Sequence, residues 1–180
     1  VTDLDVGPDG GMYFCTGGRG TAGGVYRVVY KGDIPDRMKN LGTGIAAAVR
    51  QPQLESAWAR QEIASIKREL GSNWGQLVAG VAYSKDNPAQ YRIRAMDLMQ
   101  LFGPVPSEDL VLELSEAGNE LVRAKAAYMM GLHPDEQSKK RLVEMLSDSD
   151  SRVQRSACEA ILRSGALPET AEDVLPLLAE

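Results

Sequence analysis

Apolar and polar positions follow two rhythms along this chain. In the first thirty residues they alternate in short bursts: Val1, Leu4 and Val6, then Met12 to Cys15, then Val25-Tyr26-Arg27-Val28-Val29-Tyr30. Alternation with aromatic and β-branched residues predicts strands. The turn signals Gly7-Pro8-Asp9-Gly10-Gly11 and Thr16 to Gly24 predict the reversals between them. Three short antiparallel strands are expected over residues 1–32, followed by a polar linker over 33–44. Such a sheet is marginal by itself, because one apolar face stays in water unless helices or further strands cover it.

From Ile45 onward the rhythm becomes helical. Leu54, Trp58, Ile63, Ile66 and Leu70 fall on one stripe, with Gly71 as a stop and Ser72 as a new N-cap. Further helices are expected at 73–84, at 91–102 after an Asp86-Asn87-Pro88 cap, and at 107–116, 120–132, 135–146, 151–164 and 170–178. The linkers are short and carry Gly, Pro, Asp or Ser, as between antiparallel helical neighbours.

The helices repeat one another. YRIRAMDLMQLFG from Tyr91, VRAKAAYMMGLHP from Val122 and VQRSACEAILRSG from Val153 begin 31 residues apart. This register superimposes Ala95, Ala126 and Ala157, then Met99, Met130 and Ile161, and at the second position Arg92, Arg123 and Gln154. A small residue there admits a close neighbour, and the apolar residue four positions on continues the buried face. The alternate helices repeat as well, with Leu110, Leu142 and Val174 at a step of 32, and LVAGVAYSK from Leu77 as a degenerate earlier copy. A two-helix unit with this period predicts a mainly α fold, an α-α superhelix or solenoid over residues 45–180, clearest over 86–180, with a small three-strand β appendage.

Charge and cysteines narrow the function classes. The net charge is -5, which disfavours nucleic acid, a partner that calls for a dense basic face. No stretch has the apolar length of a membrane span, and residues 1–20 lack the pattern of a signal peptide. Cys15 and Cys158 lie in segments of different type and form no CxxC or CxxCH unit. They are expected as two separate thiols, and no cofactor or metal site is expected in this chain.

Acidic residues, a branched apolar residue, Val-Arg, Ala and a later apolar pair, as in NELVRAKAAYMMG and SDSDSRVQRSACEAILRSG, resemble the HEAT-like repeats of the phycobilisome lyase type over residues 86–180. In such arrays the second helix of each pair lines the concave side. That resemblance puts 107–116, 135–146 and 170–178 there, and with them Glu113, Lys139, Lys140 and Glu144 as candidate binding residues. The opening VGPDGGMYFCTGG…GGVYRVVYKG, with Pro8-Asp9-Gly10, Tyr13-Phe14 and Tyr26-Arg27, resembles the closing blade of β-propellers of the glucose and sorbosone dehydrogenase type. Together the two segments resemble large predicted membrane-bound dehydrogenases of planctomycetes and related bacteria that end in a haem domain. The resemblance implies that the chain is an internal fragment of such a protein, with a periplasmic or cell-envelope location. No catalytic base, quinone-binding residue or haem ligand of that family can be placed on any residue here.

Candidate chemistry is weak beside its structural alternatives. His133, the only histidine, closes a helix before Pro134, and a helix-end role is expected of it. GGRGTAGG leads into a strand instead of a helix and so lacks a phosphate-binding N-terminus. Lys139, Lys140 and Arg141 have Glu136 and Glu144 within a turn to neutralise them, and Asp148 and Asp150 are expected as caps and ion-pair partners of the following arginines. Trp58 and Trp74 are expected in the core, as are Met96, Met99, Met129 and Met130. The leading expectation is a non-enzymatic interaction or spacer module. It would bind a protein partner or neighbouring domains of its parent, and homodimerisation through the β edge is a further expectation. The alternative is part of a pyrroloquinoline-quinone or sorbosone-type dehydrogenase passing electrons to a haem outside this chain. Attachment of a tetrapyrrole rests only on the name of the repeat type.

Overall fold

The computed structural model describes residues 1–165 apart from 2, 19 and 35. The helix expected at 170–178, with Val174, lies outside the described residues. The chain divides into two compact units, Val1–Trp74 and Gly75–Glu180.

The first unit opens with a three-stranded antiparallel meander, β1 (Asp3–Val6), β2 (Met12–Gly18) and β3 (Thr21–Val28), in the order β1-β2-β3. Asp9 holds the first turn. Its carboxylate accepts from the Gly11 N–H at 3.0 Å and the Tyr13 hydroxyl at 2.8 Å, and it pairs with the Arg27 guanidinium at 2.6 Å. These bonds tie a turn to both following strands. The strands β2 and β3 run further into the glycine-rich segment than expected, pairing as far as Gly18 with Thr21, with a register shift between Thr16 and Gly18. Glycine is required at position 23, where a Cβ would strike the Thr16 carbonyl oxygen. The register puts Leu4, Phe14 and Tyr26 on one face with Val6, Met12 and Val28, and Asp5, Tyr13 and Arg27 on the other. Phe14 and Tyr26 stack with ring centroids 5.1 Å apart.

The expected 33–44 linker contains a short helix, α1 (Asp36–Lys39), and the helical stripe that follows is not continuous. Instead α2 (Gly44–Arg50) buries Ala47, Ala48 and Val49, and Gln51-Pro52 ends it. Proline at 52 has no N–H and crowds the preceding turn. After a loop in which Leu54 is buried, α3 (Ala57–Leu70) starts at a Ser56 N-cap and buries Ala59, Ile63 and Ile66. Trp58 is half-buried, contrary to a core role, and its indole N–H donates to the Val6 carbonyl at 2.8 Å, tying β1 to α3. Gly71 closes α3 with positive φ, but a 3₁₀ turn, Gly71–Asn73, follows in place of a Ser72 cap.

The second unit is helical: α4 (Trp74–Tyr83), whose first residue closes the first unit, α5 (Ala89–Phe102), α6 (Glu108–Ser115), α7 (Glu120–Leu132), α8 (Glu136–Met145) and α9 (Ser151–Ser164). Side-chain caps at Ser107, Asn119, Asp135 and Asp150 fix where α6 to α9 begin. The start of α5 differs from expectation, because Pro88 occupies its N-cap without a side-chain bond and Asn87 donates back to the Val81 carbonyl at 3.1 Å. Ala95, Ala126 and Ala157 are all buried, as are Met99, Met130 and Ile161, so the 31-residue register is a packing register. Trp74, Met96 and Met129 are buried too. At Gly131 of α7, a Cβ would lie 2.7 Å from the Ala160 Cα of α9, which sets how closely the two helices approach.

Candidate functional site

The second position of each first helix has a common role. Arg92 Nε donates to the Ala82 carbonyl at 2.8 Å, Arg123 Nη1 to the Ala117 carbonyl at 2.9 Å, and Gln154 Nε2 to the Asp148 carbonyl at 2.8 Å. Each reaches back to a carbonyl left at the end of the preceding helix or in the linker after it, groups with no partner inside that helix. The position shared by Arg92, Arg123 and Gln154 is therefore a joint between successive helices.

Arg123 adds a bidentate pair with Asp148, both N–O distances 2.8 Å, whose carboxylate also accepts from the Asp150 N–H at 2.9 Å. Hydrogen bonding from Arg123 is the largest of the effects that hold Asp148 below the ordinary carboxylate value. Asp150 caps α9 and pairs with Arg152, which reaches Glu120 at 3.0 Å. The aspartates thus serve as cap and ion-pair partners, while Arg155 turns to Glu159 on its own helix.

The second-type helices carry the candidate binding residues, and burial corrects their register. The step of 32 that superimposes Leu110 on Leu142 would set exposed Glu113 on buried Met145. A step of 31 instead matches Val111 with Leu142, Leu114 with Met145 and Ser115 with Leu146, all buried, and so keeps one period throughout. In that register the exposed Glu113 and Glu144 are equivalent, and so are the exposed Asp109 and Lys140.

Not all of the expected surface charges are equally available. Lys139 pairs with Glu136 at 2.9 Å, and Arg141 pairs with Glu144 at 2.7 Å. Arg141 also donates from Nε to the Ser115 hydroxyl at 2.9 Å, joining α8 to α6. Lys140, Glu113 and Asp109 enter no ion pair among the described residues. Among the described residues, the exposed face of α6 and α8 therefore offers acid without an ion-pair partner on one helix and a lysine without one on the next.

His133 is the C-cap of α7, and its Nε2 meets the Gln100 side-chain oxygen of α5 at 2.8 Å. It lines a small cleft with Pro106, Glu108, Val111, Asp135 and Ser138, of about 20 Å³, room for a water molecule. Burial, with the Asp135 and Asp109 carboxylates adding to it, pushes Glu108 above its ordinary value. The Asp135 carboxylate is committed to the Ser138 N–H at 2.7 Å and its hydroxyl at 2.8 Å. On the faces of α5, α7 and α9, Lys125 pairs with Asp97, and Lys125 and Arg163 lie 4.2 and 4.9 Å from the Tyr128 ring centre. Sequence reading misses this cluster, because its partners lie on three helices and share no motif. Burial pushes the Cys158 thiol upward.

Among the described residues, no helix is long and apolar enough to cross a membrane. No curated protein and no solved structure matches the chain. The family model of HEAT repeats matches residues 107–180, a span that begins at the cap of α6 and takes in α7, α8 and α9. Residues 107–180 are accordingly similar to HEAT repeats, and the mainly helical fold with its small N-terminal sheet agrees with such repeats.

Proposed function

We propose that this chain is a non-catalytic interaction and spacer module, whose repeats present the exposed face of α6 and α8 to a protein partner. The observation that carries the proposal is the equivalence of Glu113 with Glu144 and of Asp109 with Lys140 at one 31-residue step, on helices whose other faces are buried. Stacked helix pairs hold such positions at fixed spacing without chemistry of their own, and HEAT repeats are suited to protein–protein contact. The partner surface that fits carries basic groups opposite Asp109 and Glu113 and an acidic group opposite Lys140. Photo-cross-linking residues placed at positions 113 and 144 in the native host would capture the same partner, and Lys140→Glu would reduce that capture. Equal capture from position 155, on a first-type helix, would refute the assignment of the face.

The β appendage supports a redox parent as the setting of this module. Its meander, its Pro8-Asp9-Gly10 turn and its Tyr26-Arg27 strand are what the resemblance to a sorbosone-type propeller blade rests on. The enzymatic alternative gives the module a part in electron transfer from such a propeller to a haem. Sequencing of the flanking coding DNA tests it: further blades upstream and a CxxCH motif downstream support it, and unrelated flanks remove it.

A further inference from the structure

The two edges of the β-sheet are treated differently. On β1, the Leu4 N–H donates to the Asp3 carboxylate at 2.8 Å and the Val6 N–H to the Asp5 carboxylate at 2.7 Å. The Val6 carbonyl accepts from the Trp58 indole at 2.8 Å. Backbone groups that would otherwise face an added strand are thus occupied by side chains, two of them anionic, as expected of an edge protected against pairing.

These bonds also fix which backbone groups of β3 face outward. In an antiparallel ladder successive residues point alternately to the two sides. With Leu4 and Val6 turned away from β2, Asp3 and Asp5 engage Cys15 and Tyr13. Met12 and Phe14 then turn toward β3 and engage Val28 and Tyr26. Val25 and Arg27 are left with N–H and C=O pointing out, and among the described residues no side chain bonds to them. The strand is eight residues long, and Val25, Tyr26 and Val28 are 73, 51 and 48 % exposed.

We infer that the β3 edge pairs with the β3 edge of a second copy of this chain. An antiparallel pair centred on Tyr26 sets Val25 opposite Arg27 of the other copy, and the reverse, so the outward groups satisfy each other under a two-fold axis. Tyr26 then meets its counterpart on the same face, extending the row Leu4, Phe14, Tyr26 across six strands. The only edges left are the two β1 edges, both occupied, so the assembly closes as a dimer and does not grow into a fibre. This inference goes beyond the proposed function and does not depend on the helical face.

Sedimentation equilibrium of the 180-residue chain tests it, with the expected result a concentration-dependent dimer. Val25→Pro removes one outward donor per copy and leaves the β2–β3 ladder its bonds, so dimerisation is expected to weaken by about tenfold or more with the far-ultraviolet spectrum unchanged. Under mild oxidation Tyr26→Cys is expected to form a disulfide between copies, seen as a self-linked tryptic peptide spanning residues 20–27. A monomer at every concentration overturns the inference and leaves the edge to a strand from outside these residues. A dimer that Val25→Pro leaves intact overturns it too. Should that variant lose the sheet, absence of the cross-link in Tyr26→Cys decides against it.

Discussion

Two carboxylates in the helical unit predict opposite responses to pH. The bidentate Arg123–Asp148 pair is well covered, with the Asp148 side chain 13 % exposed, and it holds the Asp148 carboxyl below its ordinary value. The unfolded chain therefore binds that proton more tightly. The stabilisation is complete above the ordinary carboxylate value and is lost as pH falls through the lowered one. Asp148→Asn is expected to cost about 1.5–3 kcal/mol at neutral pH, with the difference from the parent shrinking in acid. Urea titrations at several pH values would show it. Glu108 carries the reverse sign: its value is raised, so its penalty is absent in acid and complete once pH exceeds the raised value. Glu108→Gln is expected to raise the melting temperature at neutral pH and to have no effect in acid. A third residue tests packing. Gly131→Ala gains about 1 kcal/mol of helix propensity, yet its Cβ meets the Ala160 backbone, which cannot rotate aside. With overpacking costing about 1–3 kcal/mol, a net loss near 1 kcal/mol is expected, read from the same titrations.

At the scale of elements, legibility follows the local code. The helices α6 to α9 are readable nearly to the residue because Ser107, Asn119, Asp135 and Asp150 announce their starts by side-chain caps. Pro88 gives no such bond, and α5 begins earlier than the Asp86-Asn87-Pro88 pattern implies. The break between α2 and α3 is hidden in the sequence because Leu54 is buried from a loop and mimics a helical stripe. The second-helix register reads one residue off because apolar identity at Leu110 and Leu142 outweighs burial, which only packing reveals. The candidate site is legible in part: Glu113, Lys140 and Glu144 are exposed, but the commitment of Arg141 to Ser115 is a contact between repeats that no single helix encodes. In the sheet, glycines that read as turn are largely strand, because Gly23 meets the Thr16 carbonyl where a side chain would not fit. Gly23→Ala is therefore expected to open the β2–β3 hairpin, visible as loss of amide protection in residues 12–28 with the helices of the second unit unaffected.

Within the helical array α7 stands between α5 and α9, packing most extensively on α9 and also on α6 and α8. Stability in such an array is a sum of unit and nearest-neighbour terms, so a local defect should weaken adjacent helices most and fade with distance. Met99 on α5 and Met130 on α7 occupy the same position in the repeat and are both buried, which makes them a matched pair of probes. Truncation of either to alanine removes similar apolar volume, at a cost of about 2–5 kcal/mol. The consequences should nonetheless differ. Met130→Ala is expected to accelerate amide exchange in α5, α7 and α9 alike, whereas Met99→Ala should act on α5 and α7 and leave most of the protection of α9. Equal loss in α9 from both variants would mean that the unit unfolds as a single globular core, and the stepwise stacking on which the 31-residue register depends would not describe how this chain is held together.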